Sequence, residues 1–205
     1  MLTAQALKKV LPLLPACAFE GILYRAVDLE ALFGFHLPTP YPKPLPLFSE
    51  GARQRGARYT PIGGPDSLYL ALDPQTAYAE ANRVHTQAWV GATANAPALP
   101  PTVLISIRAR LDCILDITDT SIQQALHTTQ EELLRPWRLA QSRGRIVATQ
   151  QLGQAAFDCG SFQAIRYPSA QSSGAHCLAV FPDRLSTPAY VESIDQHLNV
   201  PQRIS

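Results

Sequence analysis

Apolar side chains take every second position from Val103 to Leu111, through Ile105, Ile107 and Ala109, with Arg108 and Arg110 between them. A period of two marks a strand with one buried face. The same alternation places Leu68, Leu70 and Leu72 on one face of a segment running from Ser67 to Leu72, and Tyr69 and Ala71 on the other. Tyr69 therefore points away from the leucine face. Gly21 to Val27, Ile114 to Ile117, Phe162 to Tyr167 and His176 to Phe181 read as further strands, the second extending or pairing with the 102–111 strand.

Helical spacing begins at Asp73-Pro74, an N-cap residue followed by proline at the first helical position. From there Ala77, Glu80, Ala81 and Val84 share one face, which sets a carboxylate in an apolar stripe. A charge is costly there unless donors or a ligand meet it. Glu80 is thus either a residue that caps or pairs inside the core, or part of a site. Shorter helices are expected over residues 1 to 10, stopped by Pro12, and over Ser121 to Leu126, Gln130 to Leu139 and Thr149 to Phe157, the last ended by Gly160. Prolines at 38, 40, 42, 44 and 46 forbid helix and favour an extended stretch from His36 to Leu47, a stiff connector or a docking strip. Strands mixed with short helices in no regular alternation argue an α+β fold. No internal repeat and no second domain is visible in residues 1–205.

Composition narrows the chemistry. The 205 residues are 46% hydrophobic and 16% charged with a net charge of +1, which suits one globular domain and lacks the basic footprint of a nucleic-acid binder. Cys17, Cys113, Cys159 and Cys177 form no Cys-x-x-Cys pair and the five histidines stand apart from them, so no metal site is expected. Cys113 and Cys177 lie in apolar strands, where a free thiol and a reducing cytoplasm are the expectation. The run Val10 to Ala18 mimics a signal peptide, but Pro12 and Pro15 interrupt it. No stretch reaches the length of a membrane span. There is no Gly-x-Gly-x-x-Gly and no Walker loop, so a nucleotide would have to bind without a Rossmann unit.

Arginine, tyrosine and glutamate side chains cluster in one stretch. It runs Gly56-Ala57-Arg58-Tyr59-Thr60-Pro61, Gly63-Gly64-Pro65, Ser67-Leu68-Tyr69-Leu70-Ala71-Leu72 and Asp73-Pro74-Gln75-Thr76-Ala77-Tyr78-Ala79-Glu80. Tyr24-Arg25 precedes it, and Ile114 to Asp119 and Tyr167-Pro168-Ser169 follow. In this order the segments resemble the RES family, named for its arginine, glutamate and serine, over about residues 20 to 185. Its members are toxins of bacterial toxin-antitoxin pairs that degrade NAD, on a fold related to ADP-ribosyltransferases. The chain departs from many relatives at Ala57, where a second glycine is common, at Thr60, where asparagine follows the aromatic, and at Ala26, where some carry tyrosine.

The resemblance implies a function and roles. NAD would be the substrate rather than a resident cofactor, split at the nicotinamide-ribose bond with inorganic phosphate or water as acceptor. Arg25 and Arg58 would hold the pyrophosphate, since a planar fork donates two parallel hydrogen bonds to phosphate oxygens. Without that context each is an ordinary surface or ion-pairing arginine. The Gly56-Ala57 pair beside Arg58 would let the backbone approach a ligand. Tyr59 and Tyr69 would supply ring faces or hydroxyls. Glu80 would stabilise the cationic sugar, and Ser169 would bond the ribose or orient Glu80; no Gly-x-Ser-x-Gly elbow makes it a nucleophile. The partner would be an antitoxin with a helix-turn-helix domain of the Xre type, and a homodimer is a further expectation. Two other readings stay open: an ADP-ribosyltransferase using the same residues on a macromolecule, and an inactive binding partner in which Arg58 and Glu80 pair in the core.

Overall fold

A computed structural model of the chain describes residues 1–33, 44–87, 101–194 and 202–205. In chain order the elements are α1 (Ala4–Val10), β1 (Cys17–Asp28), α2 (Leu29–Leu32), α3 (Glu50–Arg55), β2 (Leu68–Ala71), α4 (Pro74–Gln87), β3 (Thr102–Asp116), α5 (Thr120–Ala125), α6 (Gln130–Leu134), α7 (Arg138–Ser142), α8 (Ala148–Asp158), β4 (Ala164–Pro168), β5 (His176–Val180), β6 (Tyr190–Ser193) and β7 (Arg203–Ile204). The extended stretch expected from His36 falls outside the described residues as far as residue 43.

The strands form one sheet in the order β1-β2-β5-β4-β3-β6-β7, and a β1–β3 pairing closes it into a ring of five strands. All pairings are antiparallel except β3–β4. Leu23, Leu68, Leu70, Ile105, Ile107, Ile114, Ala164, Leu178 and Val180 pack together inside this ring. The opposite face of the strands carries Tyr69, Ala71, Leu115, Ile165, Tyr167, Cys177 and Ala179, which pack with residues of α1, α5, α6 and α8 in a second cluster. Alternation along β2 thus sorts leucines to the interior and Tyr69 to the helix-covered face.

The α+β architecture agrees with the expectation from the sequence, and the differences have local causes. The strands 102–111 and 114–117 are one strand of 15 residues. The helix expected from Gln130 to Leu139 is two, because Pro136 has no N–H to donate and pushes Arg135 into an extended conformation with ψ 143°. β6 and β7 add an edge that the pattern did not reveal. Helix α4 starts where Asp73-Pro74 marks it, with the Asp73 carboxylate accepting from the Thr76 N–H at 2.8 Å. Those hydrogen bonds hold the Asp73 pKa below its ordinary value. All four cysteines are free thiols, with Cys177 buried and Cys113 only partly so. Among the described residues no helix is long and apolar enough to cross a membrane.

Helix α8 fixes the turn that carries Arg58 and Tyr59. Ala57 and Thr60 exchange backbone hydrogen bonds at 2.7 and 3.3 Å, so Arg58 and Tyr59 sit at the tip. The buried Gln150 side chain donates to Ala57 O at 3.0 Å and to Gln141 Oε1 at 2.7 Å. Gly153 lies so close that a Cβ there would stand 1.7 Å from Tyr59 O. Helix and turn can meet at this distance only without a side chain at 153. Gly153→Ala should therefore push the turn off α8 and destabilise the protein by about 1–3 kcal/mol or more. Differential scanning calorimetry should show the melting temperature falling by about 5 °C or more, and an unchanged midpoint would contradict this packing.

Candidate active site

A cleft of about 610 Å³ lies between β1, β2 and α4 on one side and α3, α7 and the Arg58 turn on the other. Arg25, Arg58, Tyr69 and Glu80 line it, together with Tyr24, Tyr167 and Cys177 from the strands and Arg55, Trp137 and Arg138 from the helical side. Strand alternation delivers Tyr69, Tyr167 and Cys177 to one surface, and α4 lowers Glu80 onto it.

Glu80 is held by the loop after β4. Ser169 Oγ donates to Glu80 Oε1 at 2.7 Å and the Ala170 N–H donates to the same oxygen at 3.0 Å. Ser169 Oγ in turn accepts from the Gln171 and Ser172 N–H groups, each at 3.1 Å. These two acceptances point the hydroxyl hydrogen at the carboxylate and fix its direction. Both donors fall on one oxygen, and among the described residues Oε2 has no hydrogen-bond partner. A half-buried carboxylate anchored through one oxygen, on a residue that lines the cleft, is suited to face a positive charge.

Arg58 is 5% exposed. Its Nη1 donates to Leu133 O at 2.7 Å and to Arg135 O at 3.0 Å, the carbonyls at the end of α6 that the break at Pro136 leaves without helical partners. Its Nη2 is buried with no hydrogen-bond partner. An unsatisfied guanidinium nitrogen in a cleft wall costs free energy until an acceptor arrives. Arg58 and Glu80 do not pair with each other, which removes the reading of a simple core ion pair.

The other expected residues play distinct parts. Arg25 donates to Pro46 O at 2.6 Å and Phe48 O at 2.7 Å, so its fork already holds the loop that forms one lip of the cleft. Burial lowers its pKa to about 10. It lies next to Leu23 and Val27 in the strand alternation, which turns it toward the leucine side rather than toward Tyr69. Tyr59 is fully buried behind the cleft, its ring 4.7 Å from that of Tyr167 and its hydroxyl without a partner. Tyr69 closes a polar chain: its hydroxyl accepts from the Tyr59 N–H at 3.0 Å and meets Thr60 Oγ1 at 2.9 Å, which donates to Ser67 Oγ at 2.9 Å. The ring of Tyr69 is thereby set in the cleft wall. The glycine beside Arg58 admits a neighbour of the chain itself, since a Cβ at Gly56 would fall 2.0 Å from Gln141 Oε1. That space is not kept for a ligand.

The motif Tyr167-Pro168-Ser169 includes Tyr167, but the sequence reading gave it no role, and it missed Cys177, Arg55, Trp137 and Arg138. The parity of β5 could have shown that Cys177 faces away from Leu178. Nothing local marked the three from the helical side. Among the described residues no group of three histidine, cysteine or acidic side chains could hold a metal.

Comparison with known proteins settles the family. The RES domain matches residues 19–202, most of the chain. This protein belongs to the RES family. Its fold is similar to a chain in the crystal structure of the M. tuberculosis MbcT-MbcA toxin-antitoxin complex, with a TM-score of 0.61 and 17% identity over 89% of this chain and 86% of that one. No curated protein matches it.

Burial raises the pKa of the three tyrosines around the site: Tyr69 is pushed up to about 12, and Tyr59 and Tyr167 rise as well. Each phenol ionises near 10 in the unfolded chain, so the stability it contributes is complete below about pH 10 and is lost as the pH climbs through the folded value. An alkaline titration followed by tyrosinate absorbance and circular dichroism should show these phenols ionising only as the fold is lost. Full tyrosinate absorbance in folded protein would contradict the buried arrangement.

Proposed function

We propose that this RES protein is the toxin of a toxin-antitoxin pair and that it splits NAD at the bond between nicotinamide and ribose. One observation carries the reading: a carboxylate fixed by Ser169 and Ala170 shares a cleft with a buried arginine whose Nη2 has no partner. Departure of nicotinamide leaves positive charge on the ribose ring carbon and oxygen, and Glu80 supplies the opposing charge. Nicotinamide leaves as a neutral base, so no general acid is required. Arg58 Nη2 serves a pyrophosphate oxygen, while Nη1 stays on its two carbonyls and keeps the guanidinium in place. Tyr69 and Tyr167 form the wall against which the leaving base lies.

The acceptor is inorganic phosphate or water. Transfer of the ADP-ribosyl group to a phosphate oxygen breaks one glycosidic C–N bond and forms one C–O bond as neutral nicotinamide leaves; water does the same and gives up one proton to solvent. The antitoxin fits this reading as a helix-turn-helix protein that covers the cleft. NAD depletion in the cytoplasm is then the toxic act.

Purified protein incubated with NAD, with and without phosphate, should release nicotinamide, and the second product separates phosphorolysis from hydrolysis. Intact NAD after long incubation with folded protein would overturn the proposal. Glu80→Gln keeps an oxygen to accept from Ser169 and Ala170 but removes the charge. It should bind NAD while turnover falls about a hundredfold or more. Normal turnover would reduce Glu80 to a structural residue. Arg58→Lys cannot reach two carbonyls and a phosphate oxygen together, so calorimetry should show NAD affinity falling about tenfold or more, a loss on the order of 1.5–3 kcal/mol.

A further inference from the structure

Contacts in the cleft wall and just behind it connect its residues in an order. Ser169 holds Glu80 at one end. Tyr167, two residues before Ser169, packs on Tyr59, and Tyr59 adjoins Arg58 at the tip of the turn. Arg58 reaches Leu133 O and Arg135 O, and the chain runs directly from those carbonyls into Trp137 and Arg138 at the start of α7. The order is therefore carboxylate, buried arginine, then a tryptophan with an arginine on it.

That last station has a built geometry. Trp137 is 5% exposed and lines the cleft, and the Arg138 guanidinium carbon lies 4.6 Å from the centre of its ring. A guanidinium over an indole face is held there by cation–π attraction. Arg138 also lines the cleft and is itself exposed. A flat cation on a rigid aromatic support is a stacking platform for a second planar, electron-rich group.

The substrate of the proposed reaction has three parts in the same order: nicotinamide ribose, pyrophosphate, adenosine. With Glu80 at the first and Arg58 at the second, the third falls at Trp137 and Arg138. We infer that the Arg138 guanidinium, backed by Trp137, is the adenine-binding platform of this cleft and makes the enzyme select dinucleotides over mononucleotides. The inference rests on the reading of NAD as substrate. Arg138 is then a specificity-determining residue remote from the bond that breaks: it holds the adenosine half and leaves the ribose at Glu80 to react. Binding energy taken from that remote half is what positions the reacting half.

The test compares wild type, Arg138→Ala and Arg138→Lys, since an exposed position tolerates both without disturbing the core. Titration calorimetry with ADP-ribose, which carries adenosine and pyrophosphate but no bond to break, reads the platform independently of catalysis. Arg138→Ala should weaken ADP-ribose binding about tenfold to a hundredfold, and Arg138→Lys, which keeps the charge but not the plane, should recover only a small part. In kinetics the preference of the wild type for NAD over nicotinamide mononucleotide should collapse by about the same factor in Arg138→Ala. Equal ADP-ribose affinity in all three proteins overturns the inference, and so does full recovery by lysine, which would make Arg138 a charge rather than a platform. Failure of the functional reading has a different mark: wild type would release no nicotinamide from NAD, while the calorimetric comparison would still decide whether Arg138 binds the adenine half.

Discussion

The capture of Arg58 by the end of α6 organises the cleft of this protein. A buried guanidinium needs acceptors, and a continuous helix from Gln130 to Leu139 would have used its own carbonyls on its own N–H groups. Pro136 prevents this, and the orphaned oxygens of Leu133 and Arg135 take Nη1. The same break lets α7 turn away and present Trp137 and Arg138 to the cleft. The break in the helix at Arg135-Pro136 thus sets an arginine in the wall and opens the wall beside it.

The second constraint is the close seat of the Arg58 turn on α8. Gln150 satisfies Ala57 O, and Gly153 removes the atom that would collide with Tyr59 O. Tyr59 then fills the core against Tyr167, and the Tyr59 N–H orients the Tyr69 hydroxyl. Rigidity passes from helix to turn to cleft wall through hydrogen bonds and ring contacts. The Arg58 turn is thus held by packed elements, which favours a fixed placement of its guanidinium.

Glu80 shows how a polar group is kept on an apolar helix face. Two donors from the loop after β4 stabilise its charge, and both bind one oxygen. Ser169, one of the two donors, is itself oriented by two backbone N–H groups. Arg25, by contrast, donates to the two carbonyls of Pro46 and Phe48 at the cleft lip. The two arginines that looked alike in the chain differ because strand parity turns one toward the leucine side while the turn carries the other into the wall.

The sequence by itself determined what depends on short-range periodicity and residue chemistry. Alternation separated Tyr69 from Leu68 and Leu70, Asp73-Pro74 began α4 on the correct residue, and a carboxylate at position 80 was out of place on its helix face unless donors met it. The Arg58, Glu80 and Ser169 motifs also marked the family. Only the tertiary structure decided which donors those were, because Ser169 lies 89 positions from Glu80 and no local pattern encodes a contact at that separation. The same holds for the acceptors of Arg58, which come from 75 and 77 positions away, and for the arrival of Trp137 and Arg138 at the cleft. Parity and propensity are properties of neighbours in the chain; the pairing of distant polar groups is settled by how the closed sheet and the helices on its face pack.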